Sequence, residues 1–413
     1  MKIKNAIIFV LLCAVSFTAK AQKVDAKDVY EHISYLADDK LKGRRTGSRG
    51  AKLAGKYIVR NFKDAGLEPL GNRGYYYEVE LKNRKNPQDL KSKEFEIIEA
   101  RNIVGFLDND AKYTIVIGGH YDHLGLGYDK NSLEANSEGE IHNGADDNAS
   151  GVAGIIELAY ALTENGIKEN YNFLFIAFTG EELGLLGSKK WCDDPTLELS
   201  KINCMFNMDM IGRLNPDTKR LLVSGTGTSD TWVKTINASN DYFSLKLDSS
   251  GTGGSDHTSF YNNDIPVLHF FSGQHSDYHK PSDDVEKINL EGTVKIIEFI
   301  YSIIMKTNDE DKLKFYKTKT KMSGKRSAKF KVTLGIMPDY TADVTGLRID
   351  GIIEDRPAEK AGILRGDIIL KMGDVVISDI YDYMKGLANF KKGETAKILI
   401  NREGKEMKMS VTF

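Results

Sequence analysis

The sequence of 413 residues is poor in cysteine, has no excess charge of either sign and contains a single long apolar run. Three cysteines are too few to form the disulfide scaffold of so long a chain. Cys192 and Cys204 could form one disulfide or remain reduced. The 57 basic and 59 acidic side chains nearly balance, which excludes the positively charged surface by which proteins bind nucleic acids or anionic membranes. We therefore expect small or peptidic partners.

The apolar run Ala6–Ala19 is the one segment that suggests a membrane-related signal. It follows Lys2 and Lys4 and leads into Ala-Lys-Ala at residues 19–21, the small-x-small pattern that signal peptidase cuts. The run is too short to span a bilayer, which needs about 20 apolar residues. We predict a signal peptide at residues 1–21, no membrane span, and a periplasmic or extracellular location.

The middle of the chain alternates strand and helix signals. Four short, nearly continuous apolar runs are typical of strands covered on both faces. A segment with helical spacing of its apolar residues lies between the first two runs. This βαβ pattern predicts an α/β fold, in which a mostly parallel mixed sheet has helices on both faces. The predicted strands are Tyr113–Gly118, Asn172–Phe178, Ile202–Met208 and Pro266–Phe271, and the predicted helix is Ser150–Leu162.

The composition changes after residue 308. Asp309–Ser327 is rich in Lys, Asp, Ser and Thr with little apolar patterning, which indicates a linker. Strand signals resume after it and continue to Phe413. We therefore predict one domain at residues 22–308, a linker at 309–327 and a small β-rich domain at 328–413.

Carboxylate and imidazole side chains follow the predicted strands, where ligands of open α/β sheets bind. Taken singly, each could be a helix cap, a dipole partner or a hydrogen-bonded side chain. Taken together, like charges in one partly buried cleft would repel unless a multivalent cation bound them. The motifs are GGHYDHLG with His120 and Asp122, NGADDNASG with Asp146 and Asp147, GEELGLLGS with Glu181 and Glu182, NMDMIG with Asp209, and YHKPSDD with His279.

The chemistry of these donors narrows the choice of metal. Histidine and carboxylate without thiolate suit zinc, cobalt or manganese, whereas an all-oxygen set would suit calcium or magnesium. Five ligands that include one bridging carboxylate are what two such ions require. One aspartate of the 146–147 pair could therefore bridge two metals while the other caps the helix or orients a neighbour.

Together with GGSDHTSF, these motifs resemble peptidase family M28, the two-zinc aminopeptidases and their relatives, over about Val24–Met305. The resemblance implies two zinc ions per chain and a secreted aminopeptidase that hydrolyses the N-terminal residues of peptides with a zinc-activated bridging water. The implied ligands are His120 and His279, one on each zinc, Asp147 between the two ions, and Glu182 and Asp209, one on each ion.

The resemblance also assigns roles beside the metals. Glu181 corresponds to the general base, and Asp122 to a second-layer carboxylate that fixes the ring of His120. His123, His142 and His257 have no ligand role in this correspondence, and we interpret them as structural.

The segment Lys329–Phe413 resembles a bacterial PDZ domain, most clearly in AEKAGILRGDIILKMGD at residues 358–374. TLGI at 333–336 stands at the place of the carboxylate-binding loop, which implies that Leu334, Gly335 and Ile336 bind a peptide C-terminus. The alternative is a packing module that positions or shields the active site.

Three other functions are open. Glutaminyl cyclase and carboxypeptidase activities occur on the same fold, and a peptide-binding scaffold could have lost the metals. A PDZ-bearing serine protease is disfavoured because the sequence has no Gly-x-Ser-x-Gly elbow. The uninterrupted GEELGLLGS and the small number of tryptophans, Trp191 and Trp232, favour a peptidase over a cyclase.

Overall fold

The computed structural model describes residues 24–84, 95–129, 131–134, 136–318, 332–338, 342, 344–352, 356–378 and 380–413. The predicted signal peptide at residues 1–21 and the second half of the predicted linker lie outside these ranges. No helix in the described ranges is both long and apolar enough to cross a membrane.

A nine-stranded mixed sheet forms the centre of the first domain, and its strand order is β1-β3-β5-β4-β6-β9-β7-β8, with β2 paired to β3. The neighbours β5, β4, β6 and β9 run parallel, whereas β3 joins β5 and β7 joins β9 antiparallel. The strands are β1 (Glu68–Pro69), β2 (Tyr76–Arg84), β3 (Phe95–Leu107), β4 (Thr114–His120), β5 (Asn172–Phe178), β6 (Ile202–Met208), β7 (Arg220–Ser224), β8 (Ser244–Asp248) and β9 (Val267–Phe271).

In the part of the chain that the structure describes, seven α-helices cover this sheet, which confirms the predicted fold class. The predicted strands and the predicted helix all form, with ends that shift by no more than two residues. The helices are α1 (Ala26–Leu36), α2 (Arg49–Asp64), α3 (Gly151–Thr163), α4 (Leu186–Asp193), α5 (Trp232–Ser239), α6 (His257–Tyr261) and α7 (Leu290–Asn308).

The continuous apolar runs form the central strands because both faces of these strands are buried. Every residue of β4, β5 and β6 is buried. Successive side chains alternate between two cores: Ile115 and Ile117 join the core under α2, α3 and α7, whereas Val116 joins the core under α4 and α6. Helix α3 is apolar around most of its circumference, as expected for a helix that is itself enclosed.

The two cysteines of this domain remain free thiols. Cys204 lies on β6 in the core under α3, whereas Cys192 lies on α4 in the core on the other face. The sheet separates them, so they form no disulfide in this structure.

The first part of the polar segment after α7 packs against the sheet domain. The side chain of Leu313 is buried, and its N–H donates to Asn203 Oδ1 at 2.7 Å. The N–H of Tyr316 donates to the carbonyl of Thr228 at 2.9 Å, and Thr318 pairs with the Tyr261 hydroxyl at 3.0 Å. Residues 313–318 therefore belong physically to the first domain.

The C-terminal region has its own antiparallel sheet, ordered β10-β11-β12-β14-β15 with β13 paired to β12. A separate apolar core that includes Leu334, Ile349, Ile369 and Ile398 fills it. Its elements are β10 (Ile336–Pro338), β11 (Leu347–Ile352), α8 (Pro357–Lys360), β12 (Ile368–Met372), β13 (Val375–Val376), α9 (Ile380–Ala388), β14 (Thr395–Arg402) and β15 (Lys405–Thr412).

Candidate metal centre

The carboxyl ends of the parallel strands bring the predicted ligands to one edge of the sheet. His120 is the last residue of β4, and Asp209 follows directly after β6. Glu182 lies in the turn after β5, and His279 lies in the loop after β9. Asp147 reaches the same edge from the turn that precedes α3. These five residues are scattered over 160 positions of the sequence, and the sheet topology collects them.

The five side chains form two groups that share Asp147. His120 Nε2 lies 3.3 Å from Asp147 Oδ1 and 3.4 Å from Asp209 Oδ1. His279 Nε2 lies 3.2 Å from Asp147 Oδ2 and 3.1 Å from Glu182 Oε2. One oxygen of Asp147 therefore faces each group, which is the arrangement that a carboxylate between two metal ions requires.

The charges of these groups depend strongly on one another. Burial by itself would raise the pKa of Asp147, but hydrogen bonds with His120 and His279 hold that pKa well below its usual value. Glu182 behaves in the same way: burial opposes ionisation, but His279 and the hydrogen bond with His123 lower its pKa to about 2. Asp147 and Glu182 are therefore held in their ionised form. Although burial opposes it, the surrounding carboxylates raise the pKa of His120 and His279 well above the usual value, so a metal ion would take the place of these protons.

Glu181 differs from its neighbour Glu182 in direction and in charge state. Its Oε2 approaches no closer than 3.9 Å to His120 Nε2, whereas Glu182 contacts His279. Burial, with Glu182 and Asp209 nearby, raises the pKa of Glu181 well above its usual value. A carboxylate that stands beside the donor groups and takes up a proton readily has the properties of a general base.

Asp122 lies under His120, although its backbone is closer to the ring than its carboxylate. His120 Nδ1 is 3.1 Å from the carbonyl oxygen of Asp122 and 3.9 Å from its Oδ1. The carboxylate accepts hydrogen bonds from the Thr46 hydroxyl at 2.6 Å and from the Glu181 N–H at 3.3 Å. Asp122 therefore joins the histidine loop to the turn that carries Glu181.

The paired aspartates have separate partners. Asp146 points away from the donor groups and accepts hydrogen bonds from Gly212 N–H at 2.6 Å, the Ser150 hydroxyl at 3.1 Å and His275 Nε2 at 3.1 Å. Asp283 accepts from the N–H groups of both Asp146 and Asp147, each at 3.1 Å. The Asp146 side chain thus anchors the turn to neighbouring segments, and Asp283 binds the backbone of the turn. The Asp147 carboxylate is therefore free to face the two donor groups.

The sequence analysis missed Arg44. This fully buried guanidinium donates to the carbonyls of Leu36, Tyr121, Asn143 and Gly144. Burial lowers its pKa to about 10, and nearby carboxylates that include Asp147 oppose that effect. Arg44 therefore ties together the backbones of the loops that carry His120 and Asp147.

Nothing in the sequence distinguishes Arg44 from the next residue. Arg45 has the same side chain but is 27% exposed and pairs with the Asp129 carboxylate at 2.5 Å. Only the three-dimensional position separates the buried arginine from the surface one.

The three histidines without assigned roles differ in their surroundings. His142 is satisfied by the carbonyl of Glu140 at 3.0 Å and by the Ser132 hydroxyl at 2.7 Å. His257 stacks on His269 with ring centroids 4.5 Å apart, outside both donor groups. His123, by contrast, lies in the centre itself: its Nδ1 is 2.8 Å from Glu182 Oε1.

Two family models match parts of this chain. Residues 102–304 match the model of peptidase family M28, and residues 319–413 match that of the PDZ domain. The first match contains all five residues of the two donor groups and Glu181, and the second contains the loop at residues 334–336. Arg44 and Thr46 precede the matched range.

Curated relatives align with less than half of their own length. Leupeptin-inactivating enzyme 1 of Streptomyces exfoliatus is 35% identical over 149 residues, which are 35% of this chain and 32% of that protein. Aminopeptidase YwaD of Bacillus subtilis is 29% identical over 218 residues, which are 49% of this chain and 43% of that protein.

Solved structures share the fold at low identity. A zinc-dependent exopeptidase from Parabacteroides distasonis has a TM-score of 0.56 and 17% identity, with 69% of this chain and 99% of that chain covered. A glutaminyl cyclase from Bacteroides thetaiotaomicron has a TM-score of 0.57 and 16% identity, with 71% and 100% covered. The fold by itself therefore does not separate exopeptidase from cyclase.

Proposed function

Because residues 102–304 of this chain belong to peptidase family M28, we propose that the protein is a zinc-dependent aminopeptidase that removes residues from the N-terminus of peptides. The observation that carries the proposal is the pair of donor groups that share Asp147, with Glu181 beside them and outside both. The aminopeptidases among the relatives support the choice of reaction.

The residues present fit two zinc ions. Imidazole nitrogens and carboxylate oxygens without a thiolate are a donor set that zinc accepts. His120, Asp147 and Asp209 form one such set, and His123, Asp147 and Glu182 form the other. His279 Nε2 adjoins the second set, 3.1 Å from Glu182 Oε2. We propose His120, Asp147 and Asp209 for one ion, and His279, Asp147 and Glu182 for the other. When bound, two such ions acidify a shared water and polarise the carbonyl of the bond to be cut.

The side chains of this centre divide the remaining work. Glu181, Asp209 and His279 keep 10%, 14% and 13% of their side-chain surface exposed, whereas His120 keeps 1%, so we propose that a substrate approaches from their side. Glu181 takes a proton from the attacking water and delivers it to the leaving amine. Asp122 is buried, and its carboxylate accepts a hydrogen bond from the Glu181 N–H, which connects the loop after His120 to the turn that carries Glu181.

The first experiment compares peptides that differ only at their ends. The full chain loaded with zinc is incubated with free, N-acetylated and C-amidated copies of one peptide library, and the products are read by mass spectrometry. We expect stepwise loss of N-terminal residues from free and amidated copies and none from acetylated copies.

Each competing function gives a different product. A carboxypeptidase would cut acetylated copies but not amidated ones. A glutaminyl cyclase would convert an N-terminal glutamine to a product lighter by one ammonia without shortening the chain. Either result, or an unchanged library, would contradict the aminopeptidase proposal.

A second experiment separates the base from the metals. Glu181→Gln keeps the size of the side chain but cannot take a proton, so we expect at least a ~10²-fold loss of kcat with two zinc ions still bound. Glu182→Gln is the matched control, because it should lose metal as well as activity. Full activity of the Glu181 variant would show that Glu181 is not the general base.

For the C-terminal domain we propose capture of a peptide C-terminus along β10. Among the described residues this strand pairs only with β11, which leaves its other edge for an added strand. Gly335 precedes it with a φ of +78°, a backbone conformation that suits an amide-lined carboxylate loop. Binding of labelled peptides with free or amidated C-termini tests the proposal, and equal affinity for both would contradict it.

Export through the segment at residues 1–21 stays a proposal that rests on its sequence pattern. N-terminal sequencing of protein recovered from a secretion-competent host tests it. We expect the mature chain to start at Gln22.

A further inference from the structure

His123 lies inside the metal centre, although the family correspondence gives it no role. It is 1% exposed, and its Nδ1 lies 2.8 Å from Glu182 Oε1 and 3.9 Å from Asp147 Oδ2. The other carboxylate oxygen of Glu182, Oε2, faces His279 Nε2 at 3.1 Å. The two oxygens of Glu182 therefore have different imidazole partners.

The ring of His123 is held in one orientation. It packs against the backbone of Gly144, where even a single Cβ would come within 2.5 Å of the ring atoms. Its opposite contact is an edge-to-face approach to His279, with centroids 5.8 Å apart. Because the carbonyl of Gly144 is bound by Arg44 at 3.0 Å, the surface behind the ring is itself fixed.

The partners of the two ring nitrogens decide the tautomer. Among the residues that the structure describes, Nε2 is buried and has no hydrogen-bond partner. A neutral imidazole carries one proton, and Nδ1 is the nitrogen with an acceptor in reach. We assign the proton to Nδ1, which then donates to Glu182 Oε1.

We propose that His123 is a positioning residue that holds Oε1 of Glu182 so that Oε2 is aimed at the second metal position, next to His279. This inference rests on the two-metal site of the proposed function. Its alternative is direct ligation through Nδ1, which would move the proton to Nε2 and leave a buried N–H without an acceptor.

The test uses variants of the full chain and measures metal binding rather than turnover. His123→Asn keeps an N–H donor close to the place of Nδ1, whereas His123→Leu removes it. Zinc affinity is measured by competition with a chromophoric chelator, and Co²⁺ absorption reports the coordination of each site. His32→Leu is the matched control, because His32 is also buried but lies on α1, where it bonds Tyr57 and Glu157.

We expect His123→Leu to weaken zinc binding at the Glu182 site by roughly 10- to 100-fold, the range seen when a partner of a metal ligand is lost. Zinc affinity at the Asp209 site should be unchanged. His123→Asn should restore the affinity to within a few-fold. His32→Leu should bind both metals like the parent chain.

Two results would overturn the proposal. Unchanged affinity in His123→Leu would mean that Glu182 needs no such donor. Equal loss in the Asn and Leu variants would mean that the imidazole itself is needed, as for a ligand. Thermal unfolding of the metal-free variants checks that both fold. Since no substrate is used, a failed aminopeptidase assay would leave this result standing.

Discussion

Alanine at each of the paired aspartates should damage the protein in a different way. Asp146→Ala removes the acceptor of the Gly212 N–H and of His275 Nε2. The other ring nitrogen of His275 keeps its hydrogen bond from the Asp277 N–H at 3.3 Å. Ser150 is less affected, because its hydroxyl also donates to the carbonyl of Asp146 at 2.8 Å. The damage therefore falls on the packing of the turn.

The size of this effect follows from the two lost hydrogen bonds. A hydrogen bond to a charged group contributes about 1.5–3 kcal/mol, so the pair contributes roughly 3–6 kcal/mol before relaxation. We expect a loss close to the lower end, about 3 kcal/mol. With an unfolding entropy of about 2.1 cal/mol/K per residue, each kcal/mol shifts the melting temperature of a domain of about 300 residues by about 1.6 °C, so the expected shift is about 5 °C.

Asp147→Ala should instead abolish metal binding, because this carboxylate faces both donor groups. A metal that binds only the folded state at 1,000 times its Kd adds about 4 kcal/mol of stability. Zinc should therefore raise the melting temperature of the parent and of Asp146→Ala by similar amounts, and that of Asp147→Ala hardly at all.

The assay combines elemental analysis of folded protein with thermal unfolding in the presence and absence of zinc. The reasoning fails if the two variants lose metal equally, or if Asp146→Ala is as stable as the parent. The first result would put both carboxylates on the metals, and the second would mean that the hydrogen bonds of Asp146 are dispensable.

Three further outcomes are expected. Arg44→Lys should cost at least about 3 kcal/mol in urea unfolding, since an ammonium cannot donate to four carbonyls. Arg45→Lys should cost less, about 1 kcal/mol, because the Arg45 side chain is 27% exposed and a lysine can still pair with Asp129. Burial holds the pKa of His257 well below its usual value, so the unfolded chain takes up a proton first as the pH falls. His257 should contribute a drop in stability of about 1.4 kcal/mol per pH unit below about 6.5. His269, whose pKa burial lowers to about 4, adds to the slope, so His257→Phe should reduce it without abolishing it. Truncation after Thr318 should leave a folded, zinc-binding domain. A shorter fragment that also lacks Leu313 should melt at a lower temperature. If the fragment that ends at Thr318 is insoluble, the two domains do not fold separately.

Much of the fold is encoded locally and could be predicted. The apolar runs of β5 and β6 agree with the prediction residue for residue, because a strand covered on both faces must be apolar throughout. The C-terminal sheet was also expected from its strand pattern, and its match to the PDZ model supports the resemblance.

The candidate ligands were predictable for a topological reason. Parallel strands end at a common edge, so polar residues just after β4, β5, β6 and β9 must come together even when their separation in sequence is large. Which atoms face each other is a different matter. Asp146 and Asp147 are the same residue type in the same turn, and only the contacts with Gly212 and with the two histidines separate them.

The sequence by itself determined the four central strands, the helix between the first two of them and the edge at which the acidic and imidazole residues meet, because burial periodicity is a local property. Tertiary structure alone decided that Arg44 reaches the carbonyl of Gly144, 100 positions away, and that His123 turns towards Glu182. It also kept Cys192 and Cys204 apart on opposite faces of the sheet. These contacts join segments that are distant in sequence, and nothing in the local sequence of either segment identifies its partner. The contacts form only when the sheet and its two cores bring the segments together.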